Sequence, residues 1–361
     1  MSIAVVEVNR QSVIHNVEYL KSIAPNSQLV AIIKANAYSH GIKEIAQLLC
    51  DKVDYLGVSR ISEAIALRNN GINAPIVALE GFFPHERIDD LIDFNIQPVI
   101  HSKWQIDALC CSPLSEQIIP WFKLDTGMHR LGFCIDEAKA EFYRLARCSV
   151  ICQPINIMSH FSSADDLTSE QTLKQIALFD QFIASIDDKS LIGKRSLAAS
   201  GGTLAWPQAH YEVVRSGIAL YGVSPFEAPV AGLKPAMTFK SELIAVRKHK
   251  KGESVGYGQI WCSQQDTFLG VVAMGYGDGY PRSIPPNTPV LINGRKVPIV
   301  GRVSMDMIVV DLGINSSEKP GDEVIFWGPE LPVEEIAKHT GISAYELITR
   351  LTSRAKIHYS R

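Results

Sequence analysis

Between residues 29 and 222 the chain repeats one pattern: a short apolar run, then a longer stretch with apolar residues at helical spacing. The runs lie at 29–33, 55–58, 76–79, 98–100, 119–124, 155–158, 196–199 and 212–214. Amphipathic stretches at 61–69, 84–94, 136–146 and 169–186 separate several of them. Runs that are apolar without alternation suit strands covered on both faces, as parallel strands are. Parallel neighbours need a crossover, and a helix is the usual one. Eight such runs predict an α/β fold, a (β/α)8 barrel of the TIM type. A doubly wound open sheet uses the same pattern and competes with it.

Past residue 222 the texture changes. Pro225, Pro229 and Pro235 interrupt the pattern, and beyond them come strands with short turns at 238–246, 268–274, 289–292, 297–299, 307–310 and 323–327. Asn293-Gly294 marks a hairpin between two of these, and helices return at 333–339 and 344–351. At 361 residues the chain exceeds one hydrophobic core. The expected organisation is a strand at 1–9 that pairs into the second domain, a barrel over 10–226, a linker over 227–237 and a mostly β domain over 238–361.

Composition narrows the functional classes. A formal net charge of −3 supplies no basic field for nucleic acid, and no apolar run approaches membrane-spanning length. The N-terminal residues lack the charged start of a secretory signal, so a cytoplasmic location is expected. The seven cysteines are odd in number and form no Cys-x-x-Cys pair, which predicts reduced thiols. No metal-ligand spacing occurs among the scattered histidines.

Polar groups recur at the carboxyl ends of the apolar runs, where barrels build their sites. Lys34 ends the first run and Lys123 the fifth; His160, Ser200 and Arg215 follow the sixth, seventh and eighth. The run 28–33 is the most informative, because an amine stands directly after a buried strand. In partly apolar surroundings such an amine loses its proton more easily, and a neutral amine can form a Schiff base with a carbonyl.

The segment Lys34-Ala35-Asn36-Ala37-Tyr38-Ser39-His40-Gly41 resembles the pyridoxal-phosphate lysine motif of the alanine racemase family, with Ser39 where the family has glycine. Phe122-Lys123-Leu124-Asp125-Thr126-Gly127-Met128-His129-Arg130-Leu131-Gly132 is a second match, with His129 where glycine is usual. Val213-Val214-Arg215-Ser216-Gly217-Ile218 is similar to the family's Arg-x-Gly segment, and Ser254-Val255-Gly256-Tyr257-Gly258-Gln259 to the segment around its catalytic tyrosine, with Gly256 where serine is usual. Gly275 to Arg282 and Gly301 to Asp306 are also family-like. The resemblance spans essentially the whole chain and implies the same two-domain order.

What the resemblance implies is specific. Lys34 would bind pyridoxal 5'-phosphate and act as one base, and Tyr257 as the second. Tyr38, Ser200, Gly217, Ile218 and Tyr345 would hold the phosphate. Arg130 and the Met305 N–H would meet the substrate carboxylate, and Tyr276 would stand at the entrance. Lys123 matches a lysine that is often carbamylated. His160 would join Arg215 in relaying the proton of Tyr257, because a free phenol titrates near ~10. Two chains would pair head to tail as a homodimer with shared sites.

Arg215 carries the chemical argument. A guanidinium keeps its proton, so facing the pyridine nitrogen it donates and leaves that nitrogen unprotonated. The ring is then a weak electron sink, which favours quick return of the proton over transamination. Inversion at an α-carbon needs removal on one face and return on the other, hence two bases. The expected activity is interconversion of L- and D-alanine, with D-alanine supplied to peptidoglycan. A serine or broader-specificity racemase of the same fold is the nearest alternative, because pocket width alone separates them. A decarboxylase is disfavoured by Arg215, where those enzymes carry a carboxylate. A non-catalytic vitamin B6-binding or regulatory protein would lack the β domain and its tyrosine.

Overall fold

The computed structural model describes residues 3–360 and divides into two units. One comprises Asn16–Ala37 and Ile42–Leu220; the other comprises Met1–His15, Tyr38–Gly41 and Tyr221–Arg361.

In the first unit, parallel strands Gln28–Ile32, Tyr55–Val58, Ile76–Ala78, Ile96–Ile100, Trp121–Asp125, Ile155–Met158, Ile192–Ser196 and Val213–Ser216 stand side by side in that order, and the last pairs with the first. The result is a nearly closed barrel. Tyr55–Val58, Ile76–Ala78 and Ile155–Met158 are buried at every residue, which is why their sequences do not alternate. At the remaining seam, between Ile192–Ser196 and Val213–Ser216, the Arg215 N–H donates to Ala198 O at 2.9 Å and Ser196 Oγ to Val213 O at 2.6 Å.

The seventh strand departs from the expected 196–199 by about a turn of chain. Its residues Lys194 and Arg195 hide it from an apolar pattern, yet both are partnered: Lys194 Nζ donates to Tyr55 OH at 2.6 Å, and Arg195 pairs with Glu212. Arg215 lies within its strand, not after it, and Lys123 stands at the middle of Trp121–Asp125, not at its end. Of the helix expected at 84–94 only Asp90–Asp93 is helical, preceded by a turn in which the Phe83 N–H donates to Glu86. Helices Arg10–Ile23 and Lys103–Cys110 lie outside the amphipathic stretches read from sequence. Cys110 and Cys148, expected as separate thiols, are placed as a disulfide pair with Cα atoms 4.9 Å apart. Their 38-residue separation is invisible to a rule based on local spacing.

In the second unit the 13-residue strand Met237–His249 is the spine. One end pairs with Val5–Asn9 and with Glu323–Trp327, and the other with Thr267–Val272. Thr267–Val272, Ile308–Gly313, Arg295–Val300, Pro289–Ile292 and Glu323–Trp327 follow one another and return to the spine. Asn293 and Gly294 both have positive φ, as a two-residue type I′ turn requires.

Directly after Lys34 the backbone turns the wrong way for L-residues. Ala35, Asn36, Ala37, Tyr38 and Ser39 have φ between 52° and 64°, a full left-handed turn without a glycine. Such backbone costs about 1–2 kcal/mol per residue. Partners hold it in place: Glu63 accepts from the Ala35 N–H at 2.9 Å, Asn36 Oδ1 accepts from the Ile42 N–H, and Ile33 O accepts from the Ala37 N–H at 2.8 Å. His129, the other position where the resembled motifs have glycine, is also left-handed at φ 52°. Asp125 stabilises that loop by accepting from the N–H groups of Gly127, Met128 and His129 and from the His129 ring.

Two outcomes follow from these backbones. Ser39→Gly should raise stability by about 0.5–1 kcal/mol, the strain relieved less the entropy of glycine, in urea unfolding. A loss would show that the buried serine side chain contributes more than its backbone costs. Asp125→Ala should lower stability by about 2 kcal/mol at neutral pH, as loss of charge-assisted hydrogen bonds does. Burial raises the Asp125 carboxyl, but the Gly127 and His129 N–H groups and the His129 ring outweigh it and hold it below its ordinary value. A depressed carboxyl stabilises above its unfolded pKa and loses that contribution as pH falls through the folded one. The gap between wild type and variant should therefore close below about pH 4.

Candidate active site

Lys34 stands where the Gln28–Ile32 strand gives way to the left-handed turn, half-buried. Burial lowers the pKa of its ammonium and Arg130 lowers it further, against the opposing pull of Glu80 and Glu63. The amine is therefore easier to deprotonate than a surface lysine. Glu63 and Glu80 are themselves tied down: Glu63 Oε2 accepts from the Ser59 N–H at 2.8 Å, and Ser59 Oγ donates to Glu80 Oε1 at 2.9 Å.

Lys123, in the Trp121–Asp125 strand, is driven well below the ordinary lysine range by burial, then by Arg215 and Arg130, with Asp125 opposing. His160 follows the Ile155–Met158 strand. Burial drives its imidazole well below the ordinary range, and Lys123, Arg215, Arg130 and Lys34 add to the effect, so it is neutral. Arg215 is fully enclosed in its strand; burial pulls it down to about 10, still high enough to stay charged. Its Nη1 donates to Ser196 Oγ at 2.6 Å and its Nη2 to Ser159 O at 2.6 Å. The His160 Nδ1 lies 3.4 Å from the same Nη2, and since a guanidinium only donates, Nδ1 is the acceptor and Nε2 carries the proton.

Ser200 opens the Ser200–Ala205 helix. Its Oγ accepts from the Gly217 N–H at 2.9 Å and from the Ala219 N–H at 3.3 Å, so Ser200, Gly217 and Ile218 are held as one buried turn. Gly202 is required here: a Cβ on it would lie 2.8 Å from that of Ala198 and 3.1 Å from the Phe161 ring. The barrel unit thus brings together Lys34, Lys123, Arg130, His160, Ser200, Arg215, Gly217 and Ile218. A donor-rich, cationic set with two easily deprotonated amines, Lys34 and Lys123, suits an anionic ligand that carries a carbonyl.

The remaining expected residues, Tyr38, Tyr257, Tyr276, Met305 and Tyr345, belong to the second unit. Tyr38 lies 5.0 Å from Tyr221 and 6.2 Å from Tyr345, ring centre to ring centre. Burial and Tyr345 push the Tyr38 phenol up, so it remains a donor. Tyr257 is 70% exposed and lies between Gly256 and Gly258, both of positive φ. Met305 accepts from the Gly277 N–H at 2.9 Å, and the Tyr276 N–H donates to Ser304 O at 3.0 Å. That close pairing excludes any side chain at Gly275, whose Cβ would meet Met305 O. A cavity of about 540 Å³ is lined by Ile260, Arg282, Gly301 and Arg302 among others. Sequence reasoning missed Glu63, Ser159, Ser196 and Gln175, polar residues that hold the site without motif spacing to mark them.

The sequence profile of the alanine racemase N-terminal domain matches residues 8–225, and that of the alanine racemase C-terminal domain matches residues 236–359. An alanine racemase of Yersinia pestis is 56% identical over 362 residues, 99% of each chain. The biosynthetic alanine racemase of Pseudomonas aeruginosa superposes with a TM-score of 0.95 at 38% identity over all of both chains. The alanine racemase of Bartonella henselae with covalently bound pyridoxal phosphate gives 0.89 at 29% identity, again over all of both chains. The chain belongs to the alanine racemase family.

Proposed function

We propose that this protein interconverts L- and D-alanine with pyridoxal 5'-phosphate and so supplies D-alanine for peptidoglycan. The observation that carries the reading is Lys34, an amine of lowered pKa at the mouth of a barrel crowded with cations. The residues present fit the cofactor. Lys34 suits its carbonyl, and the buried turn of Ser200, Gly217 and Ile218 suits its phosphate; by resemblance to the family, Tyr38 and Tyr345 would be phosphate ligands as well. Arg215 suits the ring nitrogen as a donor that stays charged. When bound, pyridoxal phosphate lends its ring to delocalise charge at the substrate α-carbon.

The chain's own residues supply the rest. Arg130, on the loop that Asp125 fixes, would grip the substrate carboxylate with its planar fork, joined by the Met305 N–H. Lys34 would remove or return the α-proton on one face and Tyr257 on the other. Neutral His160, held beside Arg215, would carry the proton of Tyr257. Lys123 as a carbamate would become an anion able to orient Arg130, and its depressed pKa favours the free amine which that modification requires. Tyr276 would stand at the substrate entrance. The width left there decides between alanine and serine, a discrimination that one hydroxyl makes only modestly.

A homodimer with shared sites is part of the proposal. Tyr257, Ile260, Met305 and Met307 are all large, apolar or aromatic, and 45–70% exposed, a set that a second copy would cover. Among the described residues no helix is long and apolar enough to cross a membrane, and the location we propose is the cytoplasm.

Purified protein loaded with pyridoxal phosphate should form D-alanine from L-alanine, and borohydride should fix the pyridoxyl group on Lys34. Lys34→Ala should abolish both. Cofactor bound with no racemisation would turn the reading to a vitamin B6-binding protein; label on another lysine would overturn the site. For the shared site, inactive Lys34→Ala and Tyr257→Phe chains are mixed and allowed to re-form dimers. Half of the dimers are then hybrids with one intact site, so activity should return to about a quarter of wild type. No recovery would place both bases in one chain.

A further inference from the structure

Helix Glu170–Ser185 packs on the barrel through Thr172, Gln175, Ile176, Phe179 and Phe182. Gln175 is the anomaly in this stripe, a fully enclosed amide at a position where an apolar side chain would serve packing as well. All its hydrogen-bonding capacity is used. Oε1 accepts from the Ser162 N–H at 2.9 Å and from Ser162 Oγ at 3.1 Å; Nε2 donates to His160 O at 2.9 Å and to Thr126 Oγ1 at 3.2 Å. The backbone fixes which end is which, since an N–H needs an acceptor and a carbonyl a donor.

The contacts lead inward. Gln175 clamps both ends of the turn that carries His160. Thr126 Oγ1 lies 2.9 Å from Ser159 Oγ, and Ser159 O receives Arg215 Nη2 at 2.6 Å. One amide outside the barrel therefore fixes the backbone of His160 and the residue whose carbonyl holds Arg215.

We propose that Gln175 is the positioning residue of the His160–Arg215 pair: by holding the His160 carbonyl it keeps Nδ1 turned to Arg215 and the ring proton on Nε2. This rests on the roles given above to His160 and Arg215. The groups acting on His160 include the cationic Arg215, Arg130 and Lys34, with Lys123 adding to them only as an unmodified ammonium, while Lys174 on the helix itself is exposed and paired with Glu170. An added carboxylate at residue 175 would thus stand in a field that draws it toward ionisation, and enclosure opposes this.

The test is Gln175→Glu, equal in size. As a carboxylate it still accepts from Ser162 but turns an acceptor on the His160 carbonyl. Protonated, it donates there again. We expect kcat about ten- to a hundredfold below wild type at high pH, with KM within about twofold. The ratio of variant to wild-type kcat should climb as pH falls through the titration of the new carboxyl. In the cofactor-free protein, 15N NMR of His160 should show the Nε2–H tautomer in wild type and its loss in the variant at high pH. A pH-independent ratio with an unchanged His160 spectrum overturns the proposal. If Q175E does not fold, Gln175→Asn, one methylene too short to span both partners, should lower kcat about tenfold at unchanged KM and shift the His160 resonance. Wild-type values in Q175N refute the idea. Absence of racemisation in wild type would refute the activity instead, and the NMR comparison would still decide on Gln175.

Discussion

Crowding of positive charge at the barrel mouth is the constraint that organises this site. Lys34, Lys123, Arg130 and Arg215 act on one another electrostatically, and Asp125, Glu63 and Glu80 are the acids set against them. Burial first, and the like charges around each group second, favour proton loss wherever a group can lose one. The arginines cannot, so the lysines and His160 bear the shift. The neutral imidazole of His160 and the lowered pKa values of Lys34 and Lys123 are one effect seen at three residues. An excess of positive charge of this kind favours anionic ligands.

Rigid support is the counterpart of that repulsion. Arg215 is a strand residue whose backbone closes the barrel seam and whose guanidinium is bound by Ser196 and Ser159. Asp125 braces the Arg130 loop with three N–H groups. The left-handed turn after Lys34 stores strain beside its amine, where Glu63 anchors the first N–H of the turn. Flexible side chains on loops would swing apart to relieve such crowding; these are fastened to strands or strapped by carboxylates.

Strands at 55–58, 155–158, 289–292 and 323–327 coincide with apolar runs because burial on the barrel or sheet leaves nothing else to encode them. The seventh strand was not legible, since Lys194 and Arg195 are satisfied by Tyr55 of the second strand and by Glu212 just before the eighth, which no local pattern reports. The left-handed turn was hidden for the opposite reason: Ala-Asn-Ala-Tyr-Ser holds no glycine to announce positive φ, and the stabilising partners are remote. Residues with chemistry of their own, Lys34, Arg130, Arg215 and Tyr257, stood out through long motifs. Gln175 and Glu63 did not, because an enclosed amide and a helix carboxylate look ordinary until their partners are known.

The spine strand of the second unit has a consequence for how the chain comes to be folded. Val5 pairs with Lys240 on one side and with Lys356 on the other. A ribosome therefore releases the first strand long before either neighbour exists, while the residues of the barrel between them can already associate. The earliest strand made is among the last to be satisfied, and its alternating apolar face must wait in contact with solvent or a chaperone. Assembly of the eight-stranded sheet of the second unit thus waits for synthesis to pass residue 356, so a chain stalled before that point can build the lysine-bearing barrel yet not the whole of this sheet.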